Sequence, residues 1–180
     1  MLNQRRITNG HKDLEQIEKL YVNSFPKEER APFSILIDRI NDGRGELIAY
    51  YQEDIFVGFA YLVKKDNICF IFYLAVSSKF QGRGFGSEIL SLIKEKYASK
   101  AICLNIETLD EDAPNYEQRL RRAKFYERNG FKDLHYTTKD GGIYYEMFAY
   151  NGEVSKEEYT ELLSNFFGRE LYQAILEKYS

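Results

Sequence analysis

The chain has 180 residues, 44% of them hydrophobic and 16% aromatic, which suits one domain with a sizeable core and argues against a disordered or fibrous chain. Lys and Arg number 25 against 28 Asp and Glu, so the net charge of -3 offers no bulk positive field for nucleic acid. The longest apolar run, residues 68–76, is far short of the roughly 20 residues of a membrane span, and residues 1–6 lack a secretory h-region, so the expectation is a cytoplasmic protein with neither a membrane nor nucleic acid as partner.

In chain order, residues 2–8 read as an edge strand, and Leu14, Ile17, Leu20 and Tyr21 recur at helical spacing behind Asp13, the expected N-cap. Pro32 suits a first helical turn, Phe33, Leu36, Ile37 and Ile40 form one stripe, and Gly43 and Gly45 end it. Residues 46–51 and 55–63 are rich in β-branched and aromatic side chains and predict a hairpin. Residues 68–76 are apolar throughout, which predicts a strand buried on both faces. Gly86, Ile89, Leu90, Ile93 and Tyr97 mark a helix, and residues 101–107 a strand with Ile102, Leu104 and Ile106 on one face. Strand, helix, strand is a parallel crossover.

Tyr116, Leu120, Ala123 and Tyr126 predict a further helix, with Gly130 at its C-terminal cap. Residues 131–138 and 143–150 flank Lys139-Asp140-Gly141-Gly142, a hairpin turn. Ser155 with Glu158 forms a capping box, Tyr159, Leu162, Leu163 and Phe166 form a stripe, and Gly168 precedes a last helix. The domain reading is 1–150, with a helical extension 151–180 packed on it.

Cys69 and Cys103 lie in apolar strand-like runs and read as core thiols of a reducing compartment. His11 and His135 are far apart, so no metal ligand set is visible and no metal is expected. The chemistry concentrates after residue 76, where Ser77-Ser78-Lys79-Phe80-Gln81-Gly82-Arg83-Gly84-Phe85-Gly86-Ser87 joins a buried strand to a helix start. Glycines there permit positive φ and close backbone approach, so N–H groups and the helix dipole can cradle a diphosphate. The loop lacks the Gly-Lys-Ser/Thr of a Walker A sequence and the glycine spacing of a dinucleotide fingerprint.

Gln81-Gly82-Arg83-Gly84-Phe85-Gly86 resembles the Gln/Arg-x-x-Gly-x-Gly/Ala signature of the GNAT superfamily of acyl-CoA-dependent N-acyltransferases. Phe125-Tyr126-Glu127-Arg128-Asn129-Gly130-Phe131 is similar to that family's Phe/Leu-Tyr-x-x-x-Gly-Phe signature. The resemblance runs from about residue 2 to residue 150 and implies an α/β fold of the α+β kind: a mixed, mostly antiparallel central sheet flanked by helices, here with the C-terminal helical extension.

The resemblance also implies roles. Backbone groups of Leu74, Ala75 and Val76 would pair with the pantetheine arm of acetyl-CoA, the thioester lying between strands 68–76 and 101–107. N–H groups of Gln81, Gly82, Arg83, Gly84, Phe85, Gly86 and Ser87 would hold the diphosphate, and an N–H near Leu74 or Ala75 would polarise the thioester carbonyl. Lys79 and Arg83 can reach phosphates or remain solvated. Tyr126 would protonate the departing thiolate, against the alternative of a core tyrosine. Glu107, at a strand end on the face of Cys103 and Asn105, is the candidate base, against a solvated strand-end glutamate.

Arg119 and Arg122 stand where the family often has asparagine and alanine, which puts the asparagine's pantetheine contact in doubt. Asp110, Glu111 and Asp112 attract a cationic amine or form a solvated face. Tyr21, Phe25, Tyr136, Tyr144 and Tyr145 line an aromatic pocket or belong to the core. The expected activity is acetyl transfer from acetyl-CoA to a primary amine, on a small molecule or peptide, by direct attack in a ternary complex. The alternatives are a non-catalytic acetyl-CoA sensor of the same fold and an unrelated nucleotide-phosphate binder. The C-terminal helices offer a dimer surface, and a homodimer is the partner expectation.

Overall fold

The computed structural model describes residues 1–178. Its strands are β1 (Asn3–Ile7), β2 (Gly45–Gln52), β3 (Ile55–Lys65), β4 (Ile68–Val76), β5 (Ala101–Glu107), β6 (Lys132–Asp140) and β7 (Ile143–Tyr150). Its helices are α1 (Leu14–Ser24), α2 (Phe33–Asn41), α3 (Phe85–Lys96), α4 (Tyr116–Arg128), α5 (Lys156–Phe167) and α6 (Arg169–Lys178). The strands form one seven-stranded mixed sheet in the order β1-β2-β3-β4-β5-β7-β6. The pairs β1/β2, β2/β3, β5/β7 and β6/β7 are antiparallel and β4/β5 is parallel. This is the expected mixed, mostly antiparallel fold with helices. The chain divides into two compact units, Met1–Lys64 with Ile71–Tyr97, and Lys65–Phe70 with Ala98–Ser180.

In the first unit the apolar stripes of α1 and α2 bury Ile17, Tyr21 and Leu36, and β2 and β3 are buried along nearly their whole lengths. Asp13 is the N-cap of α1, yet its side chain does not cap the helix. The carboxylate instead accepts the Tyr51 hydroxyl at 2.7 Å, a partner 38 residues away that local sequence does not reveal. Burial along β4 departs from expectation. Its first four residues are fully buried, but Phe72, Leu74 and Val76 are half-buried while Tyr73 and Ala75 remain inside, so one face opens toward the strand's end.

The one charged side chain buried among β2 residues is Glu46, 3% exposed. Lys64 and Lys96 donate to it at 2.6 and 2.5 Å, and the Tyr97 hydroxyl donates as well. Burial alone raises a carboxyl pKa, but here the donors overcome it and hold Glu46 at about 2.

In the second unit, β5 and β7 pair from Ile102↔Tyr150 to Glu107↔Tyr145. β6 continues two residues beyond the predicted end, to Asp140, because Gly141 and Gly142, at φ 60° and 84°, make the turn by themselves. Ser155 and Glu158 form the expected capping box, and α5 buries Tyr159, Leu162, Leu163 and Phe166. Asp140 accepts hydrogen bonds from the Tyr159 hydroxyl at 2.8 Å and from Thr138, and burial pushes its pKa up against them. Cys69 and Cys103 are buried, and burial holds the Cys103 thiol well above the ordinary thiol range. No described helix is long and apolar enough to cross a membrane.

Glu46 ionises about 2.5 pH units below its ordinary 4.5, so its contribution is present above pH 4.5 and is lost as pH falls toward 2. At pH 7, Glu46→Gln is expected to lower unfolding free energy by on the order of 3 kcal/mol, and that difference should shrink progressively below pH 4.5. Urea melts of both proteins at pH 7 and pH 3 check this; a constant gap would show that the ion pairs are not its source.

Candidate functional site

The first unit contains the end of β4, the loop after it and the start of α3. Three contacts fix this junction. Ser77 N–H donates to Val57 O at 2.8 Å, Phe80 N–H donates to Ser77 O at 2.8 Å, and Gln81 Nε2 donates to Val76 O at 3.0 Å. Gln81 therefore serves the backbone with its side chain and ties the loop to the strand it leaves. Gly58 on β3 also belongs here: a Cβ on it would lie 2.3 Å from Ala75 O and 3.1 Å from Val76 Cα. Sequence reading passed over Gly58, although a single glycine inside a strand is itself a signal of close backbone approach.

The rings of Phe72 and Tyr73 stack with centroids 4.4 Å apart. The parallel ladder between β4 and β5 comprises Ile68↔Ala101, Cys69↔Ile102 and Phe70↔Cys103, at the start of both strands. Leu74, Ala75 and Val76 lie past that ladder.

Gly84 is the N-cap of α3 in the left-handed region at φ 84°, and Gly82 has φ 73°. No heavy atom lies within 4 Å of a Cβ built on either. No side chain caps the helix, so the N–H groups of Phe85, Gly86 and Ser87 keep the unsatisfied donors of a helix start. Phe85 is buried, whereas residues 81–84 are exposed. Lys79 is exposed too, and the Arg83 guanidinium lies 5.4 Å from the centroids of both Phe80 and Phe85, which holds it over the loop. Open backbone donors, positive-φ glycines and a nearby guanidinium are an arrangement with the chemistry to hold an anion.

The second unit holds the other two predicted residues. Glu107 ends β5 and is 6% exposed. Arg119 Nη2 lies 3.0 Å from its Oε1 and Arg122 Nη1 3.2 Å from its Oε2, while Arg119 also donates to Thr108 O at 2.8 Å and to Asn115 at 2.9 Å. The departure from the family pattern on α4 thus has an observed partner, since both arginines engage the candidate base. Asp110, Glu111 and Asp112 are exposed, and the Asp110 carboxylate accepts the Asp112 N–H in a local turn.

Tyr126 packs on Phe125 and Phe131 with centroids 5.1 and 5.8 Å away. Tyr126 is 9% exposed, and its hydroxyl makes no hydrogen bond among the described residues. Burial pushes its pKa up and the charge of Arg122 partly offsets that, so the phenol keeps its proton at neutral pH. The spacing from Tyr126 to Phe131 has a structural cause. Phe131 N–H donates to Tyr126 O at 3.1 Å and Gly130 N–H to Glu127 O at 2.8 Å, with Gly130 at φ 82°. This is a Schellman cap, whose usual apolar contact is the Tyr126–Phe131 ring pair.

The aromatic candidates divide. Tyr21 is core, and the Tyr136 hydroxyl donates to Val154 O at 2.7 Å. Tyr145 is buried, and Tyr144 is 56% exposed. Among the described residues no group of His, Cys, Asp or Glu is arranged to hold a metal.

The sequence profile of the acetyltransferase (GNAT) domain matches residues 43–133, half of the chain and both signatures. The chain belongs to the GNAT acetyltransferase family. A Bacillus subtilis protein provisionally named acetyltransferase YjbC is 40% identical over 67 residues, 37% of this chain and 32% of that protein, so the match spans about a third of the curated relative. A Bacteroides thetaiotaomicron protein provisionally described as a GNAT-family acetyltransferase has a similar structure, with TM-score 0.75 and 22% identity over 94% of this chain and 98% of that one. An aminoglycoside 6'-N-acetyltransferase complexed with coenzyme A aligns at TM-score 0.64 and 16% identity, over 85% of this chain and 99% of its own. At these identities the two structures establish the fold that this GNAT chain shares with them.

Gly130→Ala places a Cβ in the left-handed region, which costs about 1 kcal/mol. The expected result is a fall in Tm of about 2–4 °C, with Gly130→Asn falling less. Calorimetric scans of the three proteins check it; equal Tm values would dissociate the cap from Tyr126 placement.

Proposed function

We propose that this GNAT chain transfers an acetyl group from acetyl-CoA to a primary amine of a small molecule or peptide by direct attack in a ternary complex. The observation that carries the reading is the uncapped start of α3 behind the left-handed Gly84, an anion cradle at the end of a strand. Acetyl-CoA supplies the activated thioester. Residues 81–87 hold its diphosphate through backbone N–H groups, with Arg83 above the loop. Leu74, Ala75 and Val76, past the three-pair ladder, offer backbone groups to the pantetheine arm as an added strand does, and an N–H at Leu74 or Ala75 polarises the carbonyl. The catalytic domain in this reading is 1–150, the helices from 151 onward form its extension, and the second substrate is the amine alone.

Tyr126 is the acid: its unengaged hydroxyl keeps its proton at neutral pH and gives it to the sulfur as the thiol leaves. Glu107 is the base, with the constraint that its carboxylate takes a proton in competition with two guanidinium groups. The two buried cysteines need no covalent role, since direct attack uses none and Cys103 is held as a buried thiol. One observation favours a second reading, a non-catalytic acetyl-CoA sensor: the double ion pair that occupies both oxygens of Glu107.

Two measurements test the proposal. Calorimetric titration should show saturable binding of acetyl-CoA, none of ATP, and loss of binding in Gly84→Val, a β-branched residue placed at φ 84°. Absence of binding to folded wild-type protein would remove the co-substrate assignment. In thiol-release assays Tyr126→Phe should lower kcat by about 10- to 1000-fold while leaving acetyl-CoA affinity nearly constant. Unchanged kcat would remove Tyr126 as the acid, and binding without any thiol release would favour the sensor.

A further inference from the structure

Six arginines of the described residues are half-buried: Arg5, Arg30, Arg39, Arg44, Arg119 and Arg122. Five of them meet a carboxylate. Arg5 pairs with Asp54 at 2.9 Å, Arg39 with Asp42 at 2.9 Å, Arg44 with the same Asp42, and Arg119 and Arg122 with Glu107. Arg30 is the exception. Its guanidinium forms no ion pair and no hydrogen bond among the described residues, and its Nε is buried without a partner. A guanidinium with one buried donor and no acceptor is a ready partner for an anion.

The backbone around Arg30 is fixed on both sides, within the first unit. The Tyr73 hydroxyl donates to Glu29 O at 3.0 Å and accepts the Ala31 N–H at 2.9 Å, and the Tyr21 hydroxyl donates to Ala31 O at 2.8 Å. The rings of Tyr21 and Tyr73 meet edge to face, 4.8 Å apart, and Phe25 closes on Tyr73 at 4.9 Å. The Arg30 charge acts on both phenols, whose pKa values burial pushes up. Two tyrosines thus fix the backbone of the short segment between α1 and α2 that carries this cation, which lowers the ordering cost of binding there. Tyr73 immediately precedes Leu74, so this frame is built on the strand whose end is assigned to the thioester.

We propose that Arg30 receives the carboxylate of the acceptor, so that the substrate is an amine that also carries a carboxylate group. The inference rests on the acetyl-transfer reading and adds the substrate class to it. The guanidinium fork matches a carboxylate in two hydrogen bonds, whereas a carboxamide of the same size offers one neutral acceptor oxygen and two donors that the fork repels. Purely cationic acceptors, polyamines and aminoglycosides among them, are then disfavoured by the same charge.

The test uses the full chain with acetyl-CoA and a panel of α- and ω-amino acids, each beside its own carboxamide, with thiol release as readout. The expected result is a preference for at least one acid over its amide of about 100-fold in kcat/KM. Arg30→Gln should abolish that preference through KM, and Arg30→Lys should retain part of it. Amides used as well as acids, or a preference that survives in Arg30→Gln, would overturn the proposal. So would loss of acetyl-CoA binding in Arg30→Gln, since the arginine would then serve the co-substrate. The comparison of acid with amide in the wild-type chain needs no variant to fold. If no amine is turned over, calorimetry of the same panel on the chain saturated with coenzyme A separates the two readings. Carboxylate binding that depends on Arg30 supports this inference while acetyl transfer fails, and no binding across the panel overturns it.

Discussion

The position of the backbone at the end of β4 governs the first unit. Val76 O is taken by Gln81, Ser77 N–H is given to Val57 O, and Gly58 admits the Ala75 carbonyl where any side chain would collide with it. These contacts leave little freedom in where the chain turns, and the turn places two left-handed glycines before α3. That helix start keeps its donors because its N-cap, Gly84, carries no side chain to take them.

Buried charge in this protein is handled by pairing. Glu46 collects two lysines and a tyrosine, and Glu107 collects two arginines. Each arrangement joins residues from different elements, so each also fixes how those elements pack within their unit. Against that background an arginine framed by two tyrosines and left without an anion stands out, because the same chain supplies a carboxylate to every other half-buried arginine.

The second family signature has a structural role of its own. Gly130 and Phe131 close the Schellman cap of α4, and the ring contact of that cap is made by Tyr126. A sequence with this spacing secures the helix end whether or not the tyrosine reacts. The Tyr126 hydroxyl makes no hydrogen bond among the described residues, unlike those of Tyr21, Tyr61, Tyr73, Tyr136 and Tyr159.

Much of this was legible in the residues. The bounds of β4, β5 and β7, the capping box at Ser155, the turn at Gly141 and Gly142 and the glycine-rich junction into α3 could be read directly, because periodicity, caps and positive-φ turns are local and involve neighbours within four or five positions. The partners of side chains could not. Asp13 found Tyr51 rather than its own helix, Glu107 found Arg119 and Arg122, and β4 proved buried on both faces only over its first four residues. Arg30 carried no signal at all in the sequence. The sequence by itself determined the order of elements, the family and the glycine-rich loop that joins β4 to α3. Only the tertiary structure decided which charges are paired and which one is not, because those partners lie far apart along the chain and are selected by packing.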